Sequence, residues 1–209
     1  MIITVASFKG GVGKTTTAIH LAAFFHGDAE TLLIDADPNR SALAWAHRGA
    51  LPFAVTDEWQ AGDHLPEQGH VVIDTQARPD PDDLAMLAKA CDWLVLPTTP
   101  DVLALDALAL MGVYLGESAI ENYRVLLTMM PPSRRMAPSL QPLITPLQPR
   151  LFHHSVRRYA VYPKAAQQGQ VVSAVKAAKA AEAWQDYGRI GEELLSLTVS
   201  RPHPSYPPS

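Results

Sequence analysis

The stretch FKGGVGKTTT, at residues 8–17, combines glycines, lysines and threonines in a pattern that suits phosphate chemistry. A glycine-rich turn between a strand and a helix presents backbone N–H groups that bind phosphate oxygens. Lys14 is placed to reach the β- and γ-phosphates of a nucleotide, and the hydroxyl of Thr15 is placed to bind Mg²⁺. The loop therefore predicts a site for nucleotide phosphates, lined by Gly10, Gly11, Val12, Gly13, Lys14, Thr15 and Thr16.

A second lysine, Lys9, lies five residues before Lys14, and Phe8 stands where the motif G-x-x-x-x-G-K-[ST] has its first glycine. The string KGGVGKTT resembles the deviant phosphate loop of the ParA/MinD family of ATPases. This resemblance implies that ATP is the nucleotide and that Lys9 crosses the interface of an ATP-dependent homodimer to contact the partner's ATP. Lys9 and Lys14 are then both catalytic. The alternative is that Lys9 is an exposed charge at the rim of the loop.

Three aspartates end two apolar segments farther along the chain. In LLIDADPNR, Asp35 and Asp37 are spaced i, i+2 and therefore share one face of a strand, and Asp74 ends HVVIDTQ. Because parallel strands bring their carboxyl ends to one edge of a sheet, we expect these groups to meet at the ligand. We assign Asp35 and Asp74, with Thr15, to Mg²⁺. In the family, the second aspartate of D-x-D-P positions the hydrolytic water, which implies this role for Asp37; the alternative role is that of a helix N-cap.

Apolar runs alternate with helix-like segments, which is typical of an α/β fold. We predict strands at residues 2–7, 31–37, 70–76, 92–100, 123–130 and 151–156, and helices at 15–25, 38–47, 81–90, 102–115, 138–147 and 177–197. The fold class is a P-loop NTPase with a mostly parallel, twisted sheet and helices on both faces. We expect a single ParA-like ATPase domain at residues 1–198, followed by a disordered Pro-rich tail at residues 199–209. By the family resemblance, the adenine-side residues are Thr128 and Pro163.

Charge is distributed unevenly around a formal net charge of −4. Residues 1–123 contain 6 Lys or Arg and 17 Asp or Glu, whereas residues 124–181 contain 9 Lys or Arg and no carboxylate. Such a region favours a polyanion-binding surface, most simply for DNA phosphates, although a compositional accident gives the same pattern. The candidate DNA contacts are Arg134, Arg135, Arg150, Arg157, Arg158, Lys164, Lys176, Lys179 and Arg189, of which we favour Arg157 and Arg158.

The resemblance extends over residues 1–195 and is strongest to short ParA-like proteins, including those that position carboxysomes. It implies a protein that binds nonspecific DNA in its ATP state and positions a plasmid, chromosome or protein organelle through an adaptor that stimulates hydrolysis. We expect a cytoplasmic, nucleoid-associated protein with no membrane partner and no signal peptide. We also expect no disulfide, since Cys91 is the only cysteine. The alternatives are a MinD-like regulator at a membrane surface and a metabolic enzyme with the same loop.

Overall fold

Six parallel strands form one sheet in the order β3-β2-β4-β1-β5-β6 in the computed structural model, which describes residues 1–67, 69–133 and 135–199. The strands are β1 (Ile2–Ser7), β2 (Thr31–Ala36), β3 (Ala54–Asp57), β4 (His70–Ala77), β5 (Trp93–Thr98) and β6 (Tyr123–Leu127). The phosphate loop follows the central strand β1, which lies between β4 and β5. This order brings the carboxyl ends of β2 and β4 beside the loop.

Seven helices cover the sheet within the described residues: α1 (Lys14–His26), α2 (Ser41–Ala46), α3 (Pro81–Lys89), α4 (Val102–Glu117), α5 (Gln141–Ile144), α6 (Val161–Gln168) and α7 (Ala180–Val199). Short 3₁₀ segments precede and follow α5. None of these helices has both the length and the apolar character needed to cross a membrane.

Two cores lie on opposite faces of the sheet. Val95 packs with α1, α6 and α7, whereas its neighbours Leu94 and Leu96 pack with α3, α4 and α5. Strands that are buried on both faces read as continuous apolar runs, which is why WLVLPT shows no polar alternation. The predicted α/β class, with one domain and helices on both faces, is confirmed, and every strand pair is parallel.

The strand expected at residues 151–156 is wrong. This segment runs beside β6 with scattered backbone bonds, from Phe152 to Val125 and from Val156 to Leu127. Between them, the N–H of His153 donates to the carboxylate of Glu193 on α7, at 3.0 Å. The two donors are four residues apart and their acceptors only two, so the segment bulges away from β6 and forms no regular ladder.

Other boundaries differ from the predictions for local reasons. The helix expected at residues 38–47 begins only at Ser41, because Arg40 adopts a left-handed conformation with φ of 50°. The helix expected at 138–147 is broken into short turns, as its prolines dictate. Helix α7 includes Val199, so the tail predicted at 199–209 begins inside the helix, and residues 200–209 lie outside the described residues.

Candidate functional site

The loop between β1 and α1 forms a cradle at the carboxyl edge of the sheet. Gly11 and Gly13 have φ of 77° and 88°, a left-handed conformation that glycine adopts without steric cost. Helix α1 begins directly after Gly13 with no side-chain cap, so its first N–H groups face the cradle. The adjoining cavity measures about 620 Å³, and its lining includes Gly10, Gly11, Gly13, Lys14, Thr15, Thr16, Asp37 and Asn39. Such a cradle suits an anion.

Lys14 lies between two aspartates at the base of this cradle. Its Nζ is 2.9 Å from Oδ2 of Asp37 and 2.8 Å from Oδ1 of Asp74. The side chains of Lys14 and Asp37 are 8% exposed, and that of Asp74 is fully buried. The sequence prediction that Lys14, Asp37 and Asp74 converge is therefore matched by the geometry.

The two aspartates differ in their electrostatic surroundings. Burial acts to raise the pKa of Asp37, but hydrogen bonds from the backbone N–H of Asn39 and from Lys14 outweigh it, so the pKa lies below its ordinary value. Burial dominates at Asp74 and raises its pKa despite the nearby charge of Lys14. Asp37 is thus held as a carboxylate, while the ionisation of Asp74 depends on the cation beside it.

Asp35 has a different setting from the other two aspartates. One carboxylate oxygen accepts a hydrogen bond from the N–H of Asp37 at 3.2 Å, and the other accepts one from the N–H of Leu43 at 2.9 Å. The residue pairs directly with Asp74 in the sheet register. Its carboxylate therefore fixes the turn that carries Asp37 and the first turn of α2.

The residues around Asp74 fit a Mg²⁺ ion that is also bound by nucleotide phosphates. Oδ2 of Asp74 is buried and has no hydrogen-bond partner, although buried carboxylate oxygens normally have one. The hydroxyl of Thr15 lies beside this carboxylate. Among the described residues, no group of three or more His, Cys, Asp or Glu side chains forms a protein-only metal cage. Mg²⁺ typically binds only one or two protein oxygen ligands when nucleotide phosphates complete its coordination shell.

A second cavity, of about 540 Å³, adjoins the cradle and contains both predicted adenine-side residues. Thr128 and Pro163 line it, and Gly13, Thr16 and Met129 line both cavities. We call the two cavities the phosphate end and the base end of one cleft. The volume and the shared wall suit a ligand with a flat apolar part and a charged part.

Thr128 ties the two ends of the cleft together. Its hydroxyl is 2.7 Å from the carbonyl oxygen of Val12 in the phosphate loop and 3.0 Å from that of Thr98 at the end of β5. The following residue, Met129, has φ of 52°. This uncommon conformation is maintained because its neighbours Thr128 and Met130 are both hydrogen-bonded to adjacent segments.

Aromatic residues that the sequence did not single out support the base end. Tyr162 and Tyr187 line the cavity, and the buried ring of His20 stacks on Tyr187 with centroids 4.8 Å apart. Nδ1 of His20 is 2.7 Å from the carbonyl oxygen of Thr16, while Nε2 accepts a bond from the N–H of Val172. Burial lowers the pKa of His20 to about 4, so the ring is neutral. No local sequence pattern marks these three residues, because they lie on α1, α6 and α7 and meet only in the folded chain.

Arg157 is held inside the protein by Asp186 of α7. The guanidinium Nε and NH2 lie 2.9 and 2.8 Å from the two carboxylate oxygens, and the backbone N–H of Arg157 also donates to Asp186. The Asp186 side chain is fully buried, and Arg157 lines the base end of the cleft. The guanidinium predicted as a DNA contact therefore has a structural partner, whereas its neighbour Arg158 is exposed.

The other predicted DNA contacts separate into one cluster and several scattered positions. Arg158, Lys164, Lys176 and Lys179 surround the start of α7; Lys164 reaches the carbonyl of Lys176, and Lys179 pairs with Glu182. We call these four residues the basic cluster. Arg150 lies beside Tyr123 at the opposite, amino end of β6. Arg135 and Arg189 are exposed, and Arg134 lies outside the described residues.

Lys9 points toward its own chain. Its Nζ is 3.0 and 3.2 Å from the carboxylate oxygens of Asp101, the N-cap of α4. Both side chains are partly exposed at the rim of the loop. The predicted contact with a second subunit would require Lys9 to leave this partner.

Comparison with known proteins identifies the family. Residues 3–193 match the family model described as the CobQ/CobB/MinD/ParA nucleotide binding domain. The chain belongs to this family. A CobQ/CobB/MinD/ParA relative, the maintenance of carboxysome distribution protein A of Gloeobacter kilaueensis, is 37% identical over 203 residues, which are 92% of this chain and 93% of the relative.

A further relative supports the same family, and a solved structure supports the same fold. Protein ParA of Rhizobium radiobacter is 30% identical over 148 residues, covering 64% of this chain and 67% of that protein. The crystal structure of a plasmid partition protein of Borrelia burgdorferi, bound to AMPPNP, has a TM-score of 0.71 at 18% identity, covering 94% of this chain and 98% of that one. The resemblance to ParA and MinD proteins and the P-loop fold are thereby confirmed.

Proposed function

We propose that this protein is a Mg²⁺-dependent ATPase that dimerises with ATP, binds nonspecific DNA in that state and positions a cargo through an adaptor that stimulates hydrolysis. The single observation that carries the ATPase part is the placement of Lys14. One buried ammonium group lies between Asp37 and Asp74 at the base of a phosphate-binding loop. A triphosphate can replace these carboxylates as the partner of Lys14, which frees Asp37 and Asp74 for their own roles.

The chain's own residues divide the work of binding and hydrolysis. The loop amides and Lys14 bind the phosphates. Thr15 and Asp74 hold Mg²⁺, and Asp35 serves the ion through its water shell while it also shapes the turn that presents Asp37. Mg²⁺ neutralises charge on the phosphates. Asp37, held as a carboxylate, accepts a hydrogen bond from water and orients it. Thr128 and Pro163 border the base.

Replacing Asp37 by Asn tests the hydrolytic assignment. We expect hydrolysis to fall about 100-fold while ATP is still bound, because the neutral amide oxygen is a weaker acceptor than a carboxylate and orients the attacking water less well. Phosphate release and ATP affinity should be measured on the same preparations. Hydrolysis at the normal rate in this variant would contradict the assignment, and so would fast turnover of the normal protein without any partner.

The basic cluster supports the DNA part of the proposal. Arg158 belongs to this cluster and also lines the base end of the cleft, so nucleotide occupancy and the basic surface are adjacent. Dimerisation doubles the number of cations available to one duplex, and each phosphate contact adds to the salt dependence of binding. We place the protein at the nucleoid in the bacterial cytoplasm on this basis.

The cargo part rests on similarity. A relative that aligns with nearly the whole chain is named for the maintenance of carboxysome distribution, and another is named ParA. We propose that the cargo is a protein organelle such as a carboxysome, or a plasmid or chromosome. The adaptor is a separate protein that recognises the ATP-bound dimer.

DNA binding should be measured on nonspecific duplex at fixed moderate salt, with ATP, ADP or no nucleotide. The test variant is Arg158→Ala with Lys164→Ala, and the matched control is Arg150→Ala, which removes a cation at the far end of the sheet. We expect binding only with ATP, lost in the test variant and retained in the control. Binding by no form of the protein would overturn the DNA proposal and favour a membrane surface or a small-molecule substrate.

A further inference from the structure

Lys9 and Asp101 form an ion pair within one chain at the rim of the cleft. Both carboxylate oxygens of Asp101 lie within 3.2 Å of Nζ of Lys9. The Lys9 and Asp101 side chains are 39% and 43% exposed. The pair is therefore reachable from solvent and from a second protein chain, unlike the buried contacts of Lys14.

Asp101 keeps its hydrogen bonds when Lys9 leaves. The hydroxyl of Thr99 donates to Oδ2, and the backbone N–H of Ala104 donates to Oδ1 as part of the N-cap of α4. The hydrogen bond from Thr99, together with Lys9 and the N–H of Ala104, holds the pKa of Asp101 below its ordinary value despite partial burial. The carboxylate is stable at the helix N-terminus without Lys9, so the ion pair can open without leaving a buried charge.

We propose that Asp101 is a positioning residue that retains Lys9 in its own subunit and thereby opposes dimerisation until the phosphates of a second subunit's ATP compete for Lys9. This inference depends on the proposed ATP-dependent dimer. Lys9 has a single ammonium group, and the contact with Asp101 uses it within the chain. A phosphate group carries more negative charge than one carboxylate and can replace it.

The expected size of the effect follows from the exposure of the pair. Exposed ion pairs contribute little individually, and each shifts an equilibrium by a factor of roughly two to three. A symmetric dimer has to open two such pairs, so the factors multiply. Removing the charge of Asp101 should therefore tighten the dimer by about threefold to tenfold.

The experiment compares Asp101→Asn with the unaltered chain and with Glu182→Gln. Asn caps a helix as well as Asp does, so the variant removes the charge and keeps the start of α4. Glu182→Gln makes the same change of charge in the exposed pair Lys179–Glu182, which includes neither Lys9 nor Asp101. The dimer dissociation constant is measured by sedimentation velocity with Mg²⁺ and AMPPNP, a nucleotide that is not hydrolysed, without DNA.

Three results support the inference together. The dimer of Asp101→Asn is about threefold to tenfold tighter than that of the normal chain, the Glu182→Gln dimer is unchanged, and the difference for Asp101→Asn shrinks as NaCl is raised because an exposed pair is screened. A helix that had lost its cap would not show this salt dependence. Asp101→Ser, a second neutral cap, provides the same test if the Asn variant is unstable.

The outcomes separate this inference from the function on which it rests. If the normal chain stays monomeric with AMPPNP at all concentrations, the proposed dimerising ATPase is overturned. If the normal chain dimerises and Asp101→Asn dimerises equally or more weakly, the role of Asp101 is overturned and the dimer remains. If the Glu182→Gln dimer is tighter by the same factor, the cause is a general effect of net charge, and the role of Asp101 is again overturned.

Discussion

The phosphate end and the base end of the cleft both contain a buried ion pair, but they use it differently. At the phosphate end, Lys14 has two carboxylate partners and lies at the base of an open cradle. At the base end, Arg157 has one partner, Asp186, in a bidentate contact beneath the cavity wall. Lys14 is a single ammonium on a flexible stem, whereas the guanidinium of Arg157 is a planar fork.

This difference indicates separate tasks for the two ends. A cation with two exchangeable partners can move from carboxylates to a ligand, since its flexible stem allows several geometries. A guanidinium that is bound to both oxygens of a carboxylate instead fixes the backbone around it, here the segment from Val156 to Tyr159. The phosphate end therefore allows Lys14 to exchange its carboxylate partners for a ligand, whereas the base end provides a rigid side of the cavity.

The largest effect is expected from Lys14→Ala at the phosphate end. The change leaves two aspartates without their cation, one of them fully buried, and should lower the free energy of unfolding by about 3 kcal/mol in addition to abolishing ATP binding. Urea denaturation of the nucleotide-free protein measures the loss. Lys9→Ala, in the same loop but exposed, should cost less than about 1 kcal/mol. Equal losses in the two variants would remove the distinction between a buried and a rim lysine.

Acid should destabilise the base end through His20. Its pKa is about 4 in the folded protein, against an ordinary value of 6.5, so below pH 6.5 the unfolded chain binds a proton that the folded chain excludes. Stability should fall as the pH falls, by about 3 kcal/mol from this residue between pH 6.5 and pH 4. The free energy of unfolding is measured over this range for the normal chain and for His20→Gln. The prediction fails if both lose stability with the same slope.

Asp186→Asn tests the rigidity of the base-end wall. The amide cannot balance the charge of Arg157, and because that side chain retains some solvent access we expect a loss of about 2 kcal/mol. ATP binding should weaken while binding of inorganic tripolyphosphate, which lacks the base, is unaffected. Glu117→Gln, the same carboxylate-to-amide change at an exposed position at the end of α4, is the control and should change neither ATP binding nor tripolyphosphate binding. Weaker tripolyphosphate binding in Asp186→Asn would show that the two ends are not separable.

Gly11→Ala should have a smaller effect on stability than Lys14→Ala or Asp186→Asn. Open space surrounds the position, so the cost comes only from the left-handed backbone with φ of 77°, and amounts to about 1 kcal/mol. ATP affinity should decrease with it, because the loop amides depend on this conformation. Gly62→Ala, at a position with equal space and no left-handed φ, is the control. A larger loss in the control would contradict the role of loop conformation.

The phosphate end could be predicted from the sequence because its residues lie in short strings. Lys14 and Thr15 follow one strand, and Asp37 and Asp74 follow two others, so a parallel sheet suffices to bring them together. Thr128 and Pro163 were predicted only through the family resemblance; they line the base end, and their contact with adenine stays a prediction. The pairing of Arg157 with Asp186 joins residues 29 positions apart and follows from the docking of α7, which no local pattern encodes.

Two missed elements have physical explanations. Strand β3, AVTD, spans four residues and is recognisable only by its pairing with β2. Helix α6 was missed because it contains Pro163. That proline is compatible with the helix, since it stands in the first turn, where a backbone N–H has no intrahelical partner. In both cases the surrounding structure, not the intrinsic preference of the residues, determines the outcome.

The hydroxyl of Thr128 has a consequence for which substitutions the cleft can accept. Both of its acceptors, at Val12 and Thr98, are backbone carbonyls, which every amino acid supplies. If all amino acids were tested at each of the three positions, these hydrogen bonds would restrict the residue type at position 128. At positions 12 and 98 only the size of the side chain would be restricted. Position 128 should then accept Ser in place of Thr and reject Val, which has the same shape but no donor.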